Sequence, residues 1–124
     1  MPLYRPSPRE CINKVHGALK AISLKRCFIP LPESLPETYE CLGIDSESEL
    51  WEIIKQLLCE LASCDPYKCY CGKHPPERSY KDQLRDMELW PYCCYSNVVN
   101  REIYIKFCLK DGCFYFVSCH ESAY

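Results

Sequence analysis

The chain is predicted to be α+β, with N-terminal helices packed on a small C-terminal antiparallel sheet. Three observations carry that expectation. Apolar residues recur at helical spacing in the first half of the chain. Near residue 103 the pattern switches to period two. Asp111-Gly112 then divides the alternating segment, a dipeptide that favours a two-residue hairpin turn. At 124 residues, one domain is expected over the whole length. A core of that size is modest, so a metal staple would help it.

The first helix is expected over about residues 8–24. Ser7 can cap it, Pro8 suits its first turn, and Glu10 completes a capping box. Ile12, Val15, Leu19 and Ile22 then recur at helical spacing, with Gly17 weakening the segment slightly. Residues 28–45 hold Pro30, Pro32, Pro36 and Gly43, and read as an irregular connector packed on the body. Ser46 and Glu49 form a second capping box. Leu50, Ile53, Ile54, Leu57, Leu58 and Leu61 follow, predicting a helix over about 47–63. Cys59 lies inside it and reads as a core thiol, since free cysteine buries readily. A loop follows over 64–79, then a short helix over about 80–89 closed by Pro91.

In the C-terminal part a strand is expected near 92–99, followed by the hairpin. A two-residue turn would pair Leu109 with Phe114 and Phe107 with Phe116 on one apolar face. On the same register Cys108, Cys113 and Cys119 share the opposite face, Cys119 stands opposite Tyr104, and His120 falls on the apolar side.

The net charge is −2, from 15 basic and 17 acidic residues. That balance gives no general attraction to nucleic acid or to an anionic membrane. The basic residues Lys68, Lys73, Arg78, Lys81 and Arg85 are diluted by Asp65, Glu77, Asp82 and Asp86, which reads as a solvated loop. No apolar run is long enough to span a bilayer. The first residues, Met1-Pro2-Leu3-Tyr4-Arg5, lack an apolar signal core, so a cytoplasmic or nuclear location is expected.

Twelve cysteines in a reducing compartment favour zinc together with some buried thiols. The leading ligand set is Cys64, Cys69, Cys71 and His74, four soft or borderline donors in a loop leaving a helix. Cys59 and Cys93 or Cys94 could replace any of them. A second group is Cys108, Cys113, Cys119 and His120, for which a thiol-bearing apolar face is an equal alternative. Such a site is structural and closed. The sequence contains no nucleophile elbow, no glycine-rich phosphate loop and no metalloprotease helix motif. Binding is therefore expected over catalysis, through aromatic surface drawn from Trp51, Trp90, Tyr92, Tyr95, Tyr115 and Tyr124. The rival readings are a secreted domain held by disulfides, and a zinc or thiol hydrolase with Glu77 as its base.

The Leu/Ile segment that ends in cysteines (Leu50 to Cys64) and the Cys69-Tyr70-Cys71 triplet belong to a wider pattern. Together with Arg101-Glu102-Ile103-Tyr104-Ile105, Asp111-Gly112 and Val117, they resemble the adenovirus early-region-four 34K protein family over roughly residues 46–120. The resemblance implies a viral, zinc-bound adaptor, cytoplasmic or nuclear, that recruits host cullin ubiquitin ligases through elongins. Leu89 and Cys93 have the spacing of an elongin-type box, but Pro91 excludes a helix there.

Overall fold

The computed structural model describes residues 5–122. Its fold is α+β, with the helices N-terminal and the sheet C-terminal. Helix α1 (Pro8–Ser23) carries the expected capping box, with Ser7 Oγ accepting from the Glu10 amide and Glu10 Oε1 accepting from the Ser7 amide. Helix α3 (Glu47–Ser63) starts at Ser46, whose Oγ accepts from the Glu49 amide and donates to the Glu49 carboxylate. Both helices turn an apolar stripe inward. Cys11, Val15, Ala18, Ala21 and Ile22 line the inner side of α1; Leu50, Ile54, Leu57, Leu58 and Leu61 line that of α3.

The connector expected to be irregular contains the two-residue strand β1 (Cys27–Phe28), a single 3-10 turn at Pro32–Ser34 and helix α2 (Leu35–Leu42). Pro36 does not break α2, because it falls in the first turn, where its missing N–H costs no hydrogen bond. Gly43 closes α2 in the left-handed conformation (φ 68°) that a Cβ would disfavour. A four-residue helix, α4 (Pro66–Cys69), follows α3. The helix expected over 80–89 is reduced to one 3-10 turn at Asp82–Leu84. Its flanks pair with each other instead: Arg78 bridges Glu88, and the Ser79 and Leu89 amides donate to the Met87 and Glu77 carbonyls. A segment this short cannot repay helix nucleation when a strand-like partner is at hand.

Strands β2 (Trp90–Ser96), β3 (Arg101–Lys110) and β4 (Cys113–Glu121) form an antiparallel meander. The spatial order is β1-β4-β3-β2, and β1 runs parallel to β4. The sheet is therefore mixed, where a wholly antiparallel one was expected; two residues are too few to show an alternation. Trp90, Tyr92, Ile103, Ile105, Phe107, Phe114, Phe116 and Cys119 face α1 and α3 and form the main core with them. A Cβ on Gly17 would meet the Leu109 Cδ1 at 3.1 Å, so this glycine lets α1 approach the sheet. A smaller cluster of Leu31, Leu84, Cys108 and Val117 covers part of the outer face.

The hairpin keeps the expected pairs Leu109–Phe114 and Phe107–Phe116, and then the register shifts. Lys106 pairs with Ser118, which leaves Val117 as an extra residue in β4. Because side chains alternate, one inserted residue exchanges the two faces. Cys119 consequently pairs with Ile105 and points into the core, while His120 pairs with Tyr104 on the outer face. This reverses both placements expected from the uninterrupted register.

The β2–β3 turn is held from α3. The buried Ser96 hydroxyl donates to Glu60 Oε1 (2.7 Å) and accepts from the Val98 and Val99 amides. Glu60 Oε2 accepts from the Asn97 amide at 2.7 Å. Hydrogen bonds to a charged partner are among the stronger ones. Replacing Ser96 with Ala is expected to lower stability by about 1–3 kcal/mol. Urea unfolding checks this, with a lower midpoint at unchanged slope as the expected result.

Candidate thiol site

Three successive elements bring cysteines to the seam between helices and sheet. Cys64 caps the C-terminus of α3, its amide donating to the Glu60 carbonyl. The Asp65 carboxylate accepts from the Tyr67 amide and starts α4, which ends on Cys69. Tyr70 then bridges Tyr92 of β2, and the Cys71 amide donates to the Pro91 carbonyl at 3.0 Å. Within β2 adjacent side chains take opposite faces. Cys94 packs against the main core, and Cys93 shares a row with Tyr104 and His120 on the outer face. The Cys71 and Cys93 sulfurs stand 3.2 Å apart, with the Ser122 Oγ 3.9 Å from Cys93.

These thiols sense one another. Burial pushes the Cys94 thiol up to about 12, and Cys69, Cys64, Glu60 and Glu102 add to the rise. The Cys69 thiol is raised by burial and then by Cys64, Asp65, Cys93 and Glu102. Cys71 is raised by burial and then by the Cys93 sulfur beside it. Burial and neighbouring negative charge thus both favour the protonated form of Cys69, Cys71 and Cys94, and a cation beside them would offset that.

The other expected ligands are placed elsewhere. His74 is exposed; its Nδ1 lies 2.8 Å from the Arg5 carbonyl and its ring stands edge-on to Tyr70. Cys108 is fully buried in the outer cluster, and Cys113 lies on the same face with its sulfur 3.9 Å from the Asp111 carbonyl. Cys119 is fully buried on the inner face, and His120 stacks on Tyr104 with ring centroids 4.9 Å apart. The bulge at Val117 therefore takes Cys119 away from Cys108 and Cys113 to the inner side of the sheet and brings His120 to the outer side in its place. Among the described residues, no three or more Cys, His, Asp or Glu side chains stand together as a group that could hold a metal ion. Cys59, expected in the core, is exposed, because it follows the buried Leu57 and Leu58 onto the outer side of α3.

Of the aromatic residues expected at the surface, Trp90 and Tyr92 are fully buried. Trp51 packs edge-on against Phe114, and Tyr115 stacks on Phe28. Tyr95 is exposed, and Tyr124 lies outside the described residues. Glu77 pairs with Lys73 at 4.0 Å, and both line a recess of about 250 Å³ with Cys71, Tyr104 and Lys106. Leu89 and Cys93 flank and enter strand β2, with Pro91 paired to Lys106.

Sequence reasoning missed the Tyr70–Tyr92 bridge that brings Cys71 to Cys93. Both tyrosines suit a strand, but nothing local in the sequence says that the two segments pair. Gly72 was missed as well. A Cβ there would meet the Tyr70 hydroxyl at 2.6 Å and the Pro91 Cγ at 2.7 Å. No family model, curated protein or solved structure matches the chain. No helix among the described residues is long and apolar enough to cross a membrane.

Replacing Gly72 with Ala is expected to push the Tyr70 ring off the Lys73 carbonyl that its hydroxyl donates to, and to cost about 1–3 kcal/mol. Thermal unfolding, with tyrosine near-UV circular dichroism as the local reporter, checks this. A second expectation concerns pH. Burial raises the Cys11 thiol to about 11 and the Cys108 thiol to about 12, and raises Cys119 further. The folded chain thus holds these protons more tightly than the unfolded one. Their stabilising effect is complete below about pH 9 and is lost as pH rises through the folded values. Denaturation midpoints should fall steadily between about pH 9 and 12.

Proposed function

We propose that this chain is a non-enzymatic, zinc-stabilised interaction protein, a viral adaptor that binds and redirects host proteins in the cytoplasm or nucleus. The observation that carries this reading is the approach of the cysteine-bearing segment after α3 to strand β2, where the Cys71 and Cys93 sulfurs stand 3.2 Å apart. Sulfur donors have the chemistry that zinc selects. Cys93 and Cys94 take opposite faces of β2, so zinc would draw on Cys64, Cys69 and Cys71 with one of those two, and closing a tetrahedron would require the Cys64 corner and the Cys69–Cys71 segment to move onto β2, since among the described residues no three such ligands stand together. Its work would be structural, joining the helical layer to the sheet in a chain whose core is modest.

The binding part of the reading rests on exposed aromatic and apolar side chains. Tyr80 is 82% exposed, Tyr95 53% and Val98 45%, the last two at the same end of the sheet. Aromatic residues on a surface favour protein partners, since a large rigid ring loses little entropy on binding. Host ubiquitin-ligase machinery is the partner class that the family resemblance suggests.

Elemental analysis of chain purified under reducing conditions is expected to return zinc, and chelation is expected to lower the melting temperature by at least about 10 °C. Metal-free chain whose melting temperature ignores the chelator would remove zinc from the reading. For the adaptor part, Tyr80→Ala and Tyr95→Ala chains should keep their zinc and melting temperature but lose a co-purifying host protein. Retention of every co-purifying protein by both variants would refute the surface assignment.

A further inference from the structure

We propose that Cys71 and Cys93 form a reversible disulfide, a covalent clasp between the loop that follows α4 and strand β2. The clasp is independent of the zinc reading, and any metal held by the same two sulfurs would be released when it closes.

The two sulfurs are already in contact. They are 3.2 Å apart, and a bonded pair sits at about 2.0 Å, so the diagonal pair closes the gap by side-chain rotation together with a small approach of the loop to β2. The backbones are held by the Tyr70–Tyr92 bridge and by the Cys71 amide on the Pro91 carbonyl. The bridge is antiparallel, so Cys71 stands opposite Pro91 and Cys93 opposite Cys69, and Cys71 and Cys93 are diagonal neighbours across it, each one residue from its bridged tyrosine. Alternation therefore turns both thiols to the side away from the tyrosines, which are buried in the core. Gly72, which cannot carry a Cβ without striking Tyr70 and Pro91, keeps the loop close to β2 at this point.

Access and competition favour the same pair. Cys71 is exposed and Cys93 half-buried, so a small reagent reaches them. Cys11, Cys108 and Cys119 are buried in apolar surroundings. Cys59 and Cys64 are exposed, but among the described residues Cys71–Cys93 is the one pair of thiols that hydrogen-bond to each other.

The oxidant is a low-molecular-weight disulfide such as oxidised glutathione. The Cys71 thiolate attacks one of its sulfurs, forming a mixed disulfide and expelling one small thiolate, which takes up the proton that Cys71 gave to solvent. Cys93 then loses its proton and attacks the Cys71 sulfur. The new Cys71–Cys93 bond forms as the mixed disulfide breaks, and the second small thiol leaves. Two protein thiols are oxidised by two electrons, and one small disulfide is reduced to two thiols.

The test equilibrates the full chain with graded ratios of oxidised to reduced glutathione, with and without a zinc chelator. Samples are quenched in acid, alkylated, digested and mapped by mass spectrometry, with metal content measured in parallel. The expected product is one cross-link, reversed by reductant, that lowers the mass by two hydrogens and raises the melting temperature by about 10 °C. Trypsin leaves Cys69 with Cys71, and Cys93 with Cys94, so fragmentation of the linked peptides must assign the bond. Cys59→Ser should leave the cross-link intact and Cys93→Ser should abolish it. The wild-type map decides the matter should Cys93→Ser fail to fold. A first cross-link elsewhere, Cys69–Cys94 included, overturns the proposal. So does accumulation of glutathione adducts alone on folded, chelated chain. A Cys71–Cys93 bond in metal-free chain sustains the clasp even where zinc binding has failed. A bond that forms only after chelation sustains both.

Discussion

The ring of Tyr92 is the hinge on which the architecture turns. It is fully buried, stacks on Phe107 with planes 9° apart, and meets the Tyr70 ring edge-on. Its hydroxyl donates to the Cys11 carbonyl at 2.9 Å. One side chain thereby joins β2 to β3, to helix α1 and to the loop after α4. A buried phenol must find a partner for its O–H, and a carbonyl of α1, 81 residues away in sequence, supplies it. Burial in the aromatic layer raises the Tyr92 phenol well above its ordinary value, as expected for a hydroxyl held neutral among Trp90, Phe107 and Tyr70.

The thiol seam is a by-product of that layer. Tyr70 packs on Trp90 and Tyr92, and the two cysteines beside it are carried to fixed positions as a consequence. Pro66 buries and Asp65 caps the short α4, so the chain reaches Tyr70 by a tight path. Rigid apolar packing thus positions thiols on the opposite side of the same short ribbon.

Much of this was legible in the sequence, and the reasons for the rest are specific. Both serine caps and both long helices follow from local chemistry, a serine before a 3.6-residue stripe, although the reciprocal glutamate bond to the cap amide forms at Ser7 and at Ser46 is replaced by a bond from the serine hydroxyl. The hairpin register near Asp111-Gly112 follows from the turn type. Helix α2 was hidden because Pro36 looks the same at a first turn as in a helix interior, and only tertiary context separates the two. The bulge at Val117 leaves no mark in an alternating run, so Cys119 and His120 were assigned to each other's sides. Strand β1 is too short to produce a pattern at all. At the candidate site, the loop with its dense cysteines was visible, as was the involvement of β2. Which cysteine meets which depends on the Tyr70–Tyr92 bridge, a contact across 21 intervening residues that no local rule supplies.

The two flanks of the sheet are each shielded by a borrowed fragment. Beside β4 lies β1, where Phe28 stacks on Tyr115; beside β2 lies the Tyr70–Cys71 stretch. Unprotected flanking strands invite pairing between molecules, and short irregular covers are one means of discouraging it. The cover over β2 is the part of the chain that carries Cys69, Cys71 and Gly72. Whatever loosens that cover bares hydrogen-bonding main chain, so the chemistry of a few sulfur atoms also bears on whether the protein stays dispersed or self-associates.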